Sequence, residues 1–126
     1  MNLVLRLELL KKRQLINSEL IKITFSIRNR LSEKWQVDIT CQQVDMILLH
    51  LVNALGRIQR GCCAMAMHAE IWREIQNAPQ FPQVMQLHQD ILKLIPFPIP
   101  QSEQSHFIGN WYSLSLAQPW ILIAIV

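Results

Sequence analysis

Residues 49–58 read LHLVNALGRI and form the middle of one predicted helix. Apolar residues recur there every three or four positions, as in an amphipathic helix. The stripe predicted to be buried comprises Val44, Ile47, Leu48, Leu51, Val52, Leu55 and Ile58. On a helical wheel His50 lies about 120° from the centre of this stripe. The sequence therefore predicts a histidine at the rim of the helix, accessible to solvent, instead of one in the core.

The same periodicity extends along the chain, and no segment of four or more residues alternates cleanly, so the predicted fold class is all-α. The helix containing His50 is expected to begin at a capping box formed by Thr40 and Gln43 and to end at Arg60, with Gly61 as its left-handed cap. The other four helices are expected at about Ser18–Trp35, Ala64–Asn77, Pro82–Ile95 and from Ser102, as its cap, to just before Pro119.

These elements predict a compact five-helix bundle with antiparallel helix pairs. Residues 1–14 are expected to form an N-terminal segment, residues 15–117 the helical domain and residues 118–126 an apolar tail. The proline-rich stretch 96–100 is expected to be a stiff, extended connection. The tail from Trp120 is consistent with a short strand, a helical turn or a docking peptide.

Composition restricts the class of protein further. The chain has 126 residues, of which 51% are hydrophobic and only 17% charged, against about 25% charged in a typical domain. This balance predicts a homodimer or a surface covered by a partner. No apolar run approaches the ~20 residues that span a bilayer, and residues 1–6 do not resemble a signal peptide. Three cysteines without a framework spacing predict reduced thiols in a cytoplasmic protein.

Three landmarks in order along the chain carry a family resemblance. They are HLVNALGR at 50–57, EI at 70–71 followed by PQF at 79–81, and IPQSEQSHFI at 99–108. Together they resemble the PRD, the phosphotransferase-system (PTS) regulation domain of bacterial sugar-responsive antiterminators and activators. The resemblance covers roughly residues 15–116. It implies a single PRD that regulates transcription or metabolism through a separate partner protein.

The resemblance also implies a site. His50 matches the family's first phosphoacceptor, with the phosphocarrier HPr or an enzyme II component as donor. Arg57 and Asn53 are expected to support the phosphate. A second acceptor usually follows the glutamate of the final helix by seven residues, and that position is Asn110 here, expected to be supporting only. His106, one turn earlier, is the candidate secondary acceptor.

The sequence is also consistent with other functions. The chain is alternatively a PRD-fold interaction module without phosphoryl control, in which His50 only bonds a backbone carbonyl. Nucleic-acid binding through the basic run 11–13 is less favoured, because no aromatic residues are interleaved with it. An enzyme is not expected, since no glycine-rich phosphate loop, nucleophile elbow or acid pair is present. No cofactor is expected, and Cys62, Cys63 and His68 lack a fourth ligand for a metal.

Overall fold

The computed structural model describes residues 2–123, and all regular structure in that range is helical. The helices are α1 Leu3–Lys12, α2 Ser18–Glu33, α3 Gln42–Gln59, α4 Ala69–Gln76, α5 Phe81–Leu92 and α6 Gln101–Ala117, followed by a 3-10 turn at Pro119–Leu122. The predicted all-α class is confirmed. The predicted number of five helices is wrong, because the described residues form six α-helices.

The additional helix is α1, which lies within the predicted N-terminal segment. The side chain of Asn2 caps it by accepting a hydrogen bond from the backbone N–H of Leu5. Leu3 and Leu7 are buried, and α1 contacts α3. A helix of this length is marginal on its own in water. Packing of its two leucines against α3 therefore stabilises it.

Helices α2 and α3 supply the centre of the core, and α3 contacts α1, α2 and α6. The buried apolar face of α2 consists of Leu20, Ile23, Ile27 and Leu31. The predicted stripe of α3 is buried except for the half-buried Ile58. The opposite rim of α3 is thereby left for polar side chains.

Two predicted helix starts are wrong. The N-cap of α3 is Cys41, without a side-chain cap, because the Thr40 hydroxyl and backbone N–H both donate to Asp38 Oδ1. This pair of bonds holds the pKa of the Asp38 carboxyl below its usual value. Helix α6 begins after Pro100 instead of at Ser102, which lies inside the helix. In both places the hydroxyl residue that was expected to cap the helix does not cap it.

The third predicted helix begins five residues too early, because residues 64–68 are not helical and α4 starts at Ala69. The end of α3 is as predicted: Gly61 has a φ of 76° and its N–H donates to Ile58 O. The N–H of Cys62 donates to Arg57 O, which completes a Schellman motif. The chain then runs as an irregular connection, the 61–68 segment, until the His68 side chain accepts from the N–H of Glu70 and caps α4.

Helices α5 and α6 pack together across the connection 93–100. Residues 96–100 are non-helical as predicted, but the helix expected to run to Ile95 ends at Leu92. A buried carboxylate, Asp90, fixes α5 to α2: it accepts two hydrogen bonds from Arg30 and one each from Lys34 and the indole of Trp35. The Arg30 guanidinium, with help from the other two donors, holds the pKa of Asp90 far below its usual range.

The beginning of the apolar tail packs on its own domain. Gln118 accepts from the N–H of Asp38 and donates to its carbonyl, and Ile121 is fully buried. Of the three structures considered for the tail, a helical turn is found at 119–122, and residues 124–126 lie outside the described range. No described helix has the length and hydropathy needed to cross a bilayer.

Candidate functional site

The predicted site residues come together around one cavity of about 790 Å³ between α3, α4, α6 and the 61–68 segment. Its polar lining includes His50, Asn53, Arg57, Glu103, His106 and Asn110. Cavities of about 300–1,000 Å³ are typical of small-molecule and cofactor sites. Residues from two helices far apart in sequence thus contribute to one concave surface.

Helix α3 presents the first three of these side chains. His50, Asn53 and Arg57 recur at helical spacing on the rim of α3, away from its buried stripe. His50 is exposed and Asn53 is half-buried. The predicted accessibility of His50 is therefore confirmed. Its imidazole is open to a reacting group that enters from solvent.

Arg57 is engaged by the neighbouring helix. Its Nη2 donates to Glu103 Oε1 over 3.2 Å, and the Glu103 side chain is completely buried while that of Arg57 is 38% exposed. The Arg57 Nε atom is buried and has no hydrogen-bond partner among the described residues. A buried carboxylate needs a cation and further donors to remain charged. Glu103 therefore orients the guanidinium of Arg57 at the wall of the cavity.

The second oxygen of Glu103 accepts from the backbone N–H of Ala64 over 3.1 Å. Ser105 and His106 continue this connection, because Met67 N–H donates to Ser105 Oγ and His106 Nε2 donates to Met65 O over 2.6 Å. Three side chains within about one turn of α6 therefore hold the 61–68 segment against that helix. This explains why the segment is not helical: its backbone groups are satisfied by α6.

His106 is less available than His50. A carbonyl oxygen only accepts, so the Nε2 of His106 carries its proton and is occupied by Met65. Attack from Nε2 of His106 would require this bond to break. The backbone-carbonyl contact considered for His50 is found at His106, and no such contact is found at His50 among the described residues. Asn110 is half-buried in the same cavity.

The apolar part of the wall and its other charges were not predicted as site residues. Met67, Ile71 and Phe107 line the cavity together with the ionisable side chains of Arg60 and Glu74. The sequence predicted Arg60 only as the end of a helix, and in the structure its Nη1 donates to Leu15 O. Its position one turn after Arg57, on the same rim of α3, is the sequence feature that could have predicted Arg60 as a site residue.

The remaining histidines lie elsewhere. His88 is buried between α5 and α6, where its Nε2 donates to Gln104 Oε1 and the Gln104 amide donates to Ile99 O. Burial lowers the pKa of His88. The described residues contain no group of three or more His, Cys, Asp or Glu side chains placed to hold a metal ion. Among the aromatic side chains, Trp111 and Phe107 are buried and Trp72 is partly buried.

Comparison with known proteins defines the family. The chain is 47% identical over 118 residues to an uncharacterized protein of Haemophilus influenzae, which covers 94% of each chain, and it belongs to the same family as that protein. It is 27% identical over 112 residues to the uncharacterized protein YhfY of Escherichia coli, covering 89% of this chain and 93% of YhfY. No family model and no solved structure matches the chain.

Proposed function

We propose that this protein contains a PRD-like regulatory domain that is phosphorylated on His50 by the sugar phosphotransferase system and acts through a transcriptional or metabolic partner. The observation that carries the proposal is the cavity shared by His50, Arg57 and His106. His50 and Arg57 lie in α3, and His106 lies far away in sequence in α6. We infer a shared chemical role for them from the cavity that they line together.

The exposed His50 imidazole has the access that phosphoryl transfer requires. In the proposed step a nitrogen of His50 attacks the phosphorus of a phosphohistidine on HPr or an enzyme II component. The N–P bond to the donor breaks as the bond to His50 forms, and the donor histidine leaves as neutral imidazole after taking up the proton that His50 loses. The product carries nearly two negative charges.

The guanidinium of Arg57 is the group expected to interact with this negative charge. It lies two helical turns after His50 on the same rim, about 10 Å along the axis at ~1.5 Å per residue. The Arg57 side chain is partly exposed and lines the cavity. Phosphate on His50 therefore competes with Glu103 for Arg57, and this competition changes the contact between α3 and α6.

The test is intact-protein mass after incubation with phosphoenolpyruvate, the general phosphotransfer enzyme and HPr. We expect one acid-labile phosphoryl adduct, absent in His50→Ala and retained in His68→Asn. The latter is a matched control, because it removes another exposed histidine and keeps a side chain that caps α4. No adduct with components active on another PRD, or an adduct that persists in His50→Ala, would refute the assignment.

A second candidate is an interaction module that keeps the fold without phosphoryl control. It is favoured by Asn110 at the second acceptor position and by the ion pair of Arg57 with the buried Glu103, which has a structural use of its own. In this case His50→Ala leaves the oligomeric state, a homodimer in our expectation, and partner binding unchanged. Sedimentation equilibrium of wild type and variant, each before and after the phosphorylation reaction, separates the two candidates.

A further inference from the structure

Cys62 and Cys63 lie in the 61–68 segment between two fixed points of the candidate site. On one side the N–H of Cys62 donates to Arg57 O over 2.9 Å, and on the other the N–H of Ala64 donates to Glu103 Oε2 over 3.1 Å. The same two residues, Arg57 and Glu103, form the ion pair of the site. A change in the backbone at the two cysteines is therefore transmitted directly to that pair.

Both thiols are free and exposed, whereas Cys41 is half-buried and its sulfur accepts from Gln118. We propose that Cys62 and Cys63 form a reversible redox modification site whose reactant is a low-molecular-weight disulfide such as oxidised glutathione. Ring closure between them releases the 61–68 segment from Glu103. This inference does not depend on the proposed phosphorylation of His50.

The reaction is two successive thiol–disulfide exchanges. The thiolate of one cysteine attacks a sulfur of oxidised glutathione, forms a mixed disulfide and expels one glutathione thiolate. The thiolate of the other cysteine attacks the protein sulfur of that mixed disulfide and expels the second. The protein loses two electrons and two protons, and one oxidised glutathione becomes two reduced molecules.

Geometry makes the product strained. Consecutive Cα atoms are about 3.8 Å apart across a trans peptide, whereas Cα atoms joined by a disulfide are usually roughly 4.4–6.8 Å apart. A bond between Cys62 and Cys63 therefore forces the dihedral angles at both residues to change. Strained, exposed disulfides are readily reduced, which is the behaviour of a regulatory bond and not of a structural one.

The hydrogen bonds of the Cys62 N–H to Arg57 O and of the Ala64 N–H to Glu103 cannot both persist when the ring forms. The N–H of Cys62 and the N–H of Ala64 flank the new ring, and their acceptors belong to helices held in the core. The Schellman bond to Arg57 O is supported by Gly61, while the bond of Ala64 to Glu103 depends on the position of the segment alone. Ala64 therefore leaves Glu103, and the adjoining bonds of Met65 and Met67 weaken with it.

The experiment treats the full chain with oxidised glutathione and measures intact mass and amide hydrogen exchange by NMR. We expect a product lighter by two hydrogen atoms, and exchange at Ala64 faster by about tenfold or more, as for loss of a hydrogen bond to a charged group. Dithiothreitol should reverse both changes. Cys41→Ser should behave as wild type, while Cys63→Ser should stop at a stable glutathione adduct with slow exchange at Ala64.

Three outcomes would overturn the inference. Wild-type protein that accumulates stable glutathione adducts does not close the ring. A ring that forms without faster exchange at Ala64 is not coupled to Glu103. Faster exchange in Cys63→Ser to the same extent would show that an adduct, instead of the ring, moves the segment.

Discussion

Replacement of Asp90 by asparagine should be among the most damaging single-atom changes in this protein. The carboxylate is only 5% exposed and receives hydrogen bonds from Arg30 at 2.7 and 2.9 Å, from Lys34 at 3.1 Å and from the Trp35 indole at 2.8 Å. Asparagine keeps the shape of the side chain and replaces one acceptor oxygen by a donor. The three donors then compete for the single oxygen that remains.

The cost follows from the exposure of each donor. The side chains of Arg30 and Lys34 are 41% and 48% exposed, so water replaces much of what they lose and both contribute little to the cost. Trp35 is buried, and a buried donor left without an acceptor costs about 1–3 kcal/mol. We expect Asp90→Asn to lower the free energy of unfolding by about 2–3 kcal/mol and the melting temperature by about 10 °C.

Guanidinium unfolding at pH 7 and at pH 3 tests this reasoning, with Glu8→Gln as control, since Glu8 is an exposed acid on α1. The pKa of Asp90 is lower in the folded protein than in the unfolded chain. Its contribution is therefore complete above about pH 4, the ordinary range of a carboxyl, and is lost as the pH falls below it. Wild type and Asp90→Asn should converge at low pH. A difference that is absent at pH 7, or that is undiminished at pH 3, would refute the argument.

Three further predictions concern other buried contacts. Lowering the pH from 7 to 5 should destabilise the protein through His88. Burial lowers the pKa of His88, so its imidazole takes up a proton at a higher pH in the unfolded chain than in the folded protein. The urea midpoints at the two pH values should therefore lie closer together in His88→Met than in wild type. Gly56→Ala should cost about 1–2 kcal/mol in urea unfolding, because the new Cβ would collide with the backbone oxygen of Leu15 and outweigh the better helix propensity; an unchanged midpoint would contradict this. Gln118→Leu should cost about 2 kcal/mol by leaving the N–H and carbonyl of Asp38 without their partner, and thermal melting at the wild-type temperature would show that water replaces the amide.

The sequence predicted those parts of the fold that depend on local periodicity. The buried faces of α2 and α3 and the exposed position of His50 follow from 3.6-residue spacing alone. The irregular 61–68 segment does not, because its apolar residues fit a helix equally well. Its conformation is decided by the hydrogen bonds of Ala64 and Met67 to α6, which no local pattern reports.

The candidate site was predictable only in part for the same reason. Helical spacing places His50 and Arg57 on one rim, but it gives no information about the helix that faces them. The resemblance to a known family supplied Glu103 and His106, and the structure supplied their contacts. No sequence pattern predicted the structural role of Asp90, since its partner Arg30 lies 60 residues away in sequence.

The pairing of Arg57 with Glu103 determines when the cavity can form during synthesis of the chain. The two residues are 46 positions apart, and Glu103 belongs to α6, the last α-helix among residues 2–123. A nascent chain that has emerged through α5 displays the rim of α3 without the carboxylate that orients its arginine or the helix that anchors the following segment. The cavity therefore takes shape only once α6 has been synthesised, and a chain truncated before α6 carries an exposed histidine without the side chains that complete the cavity around it.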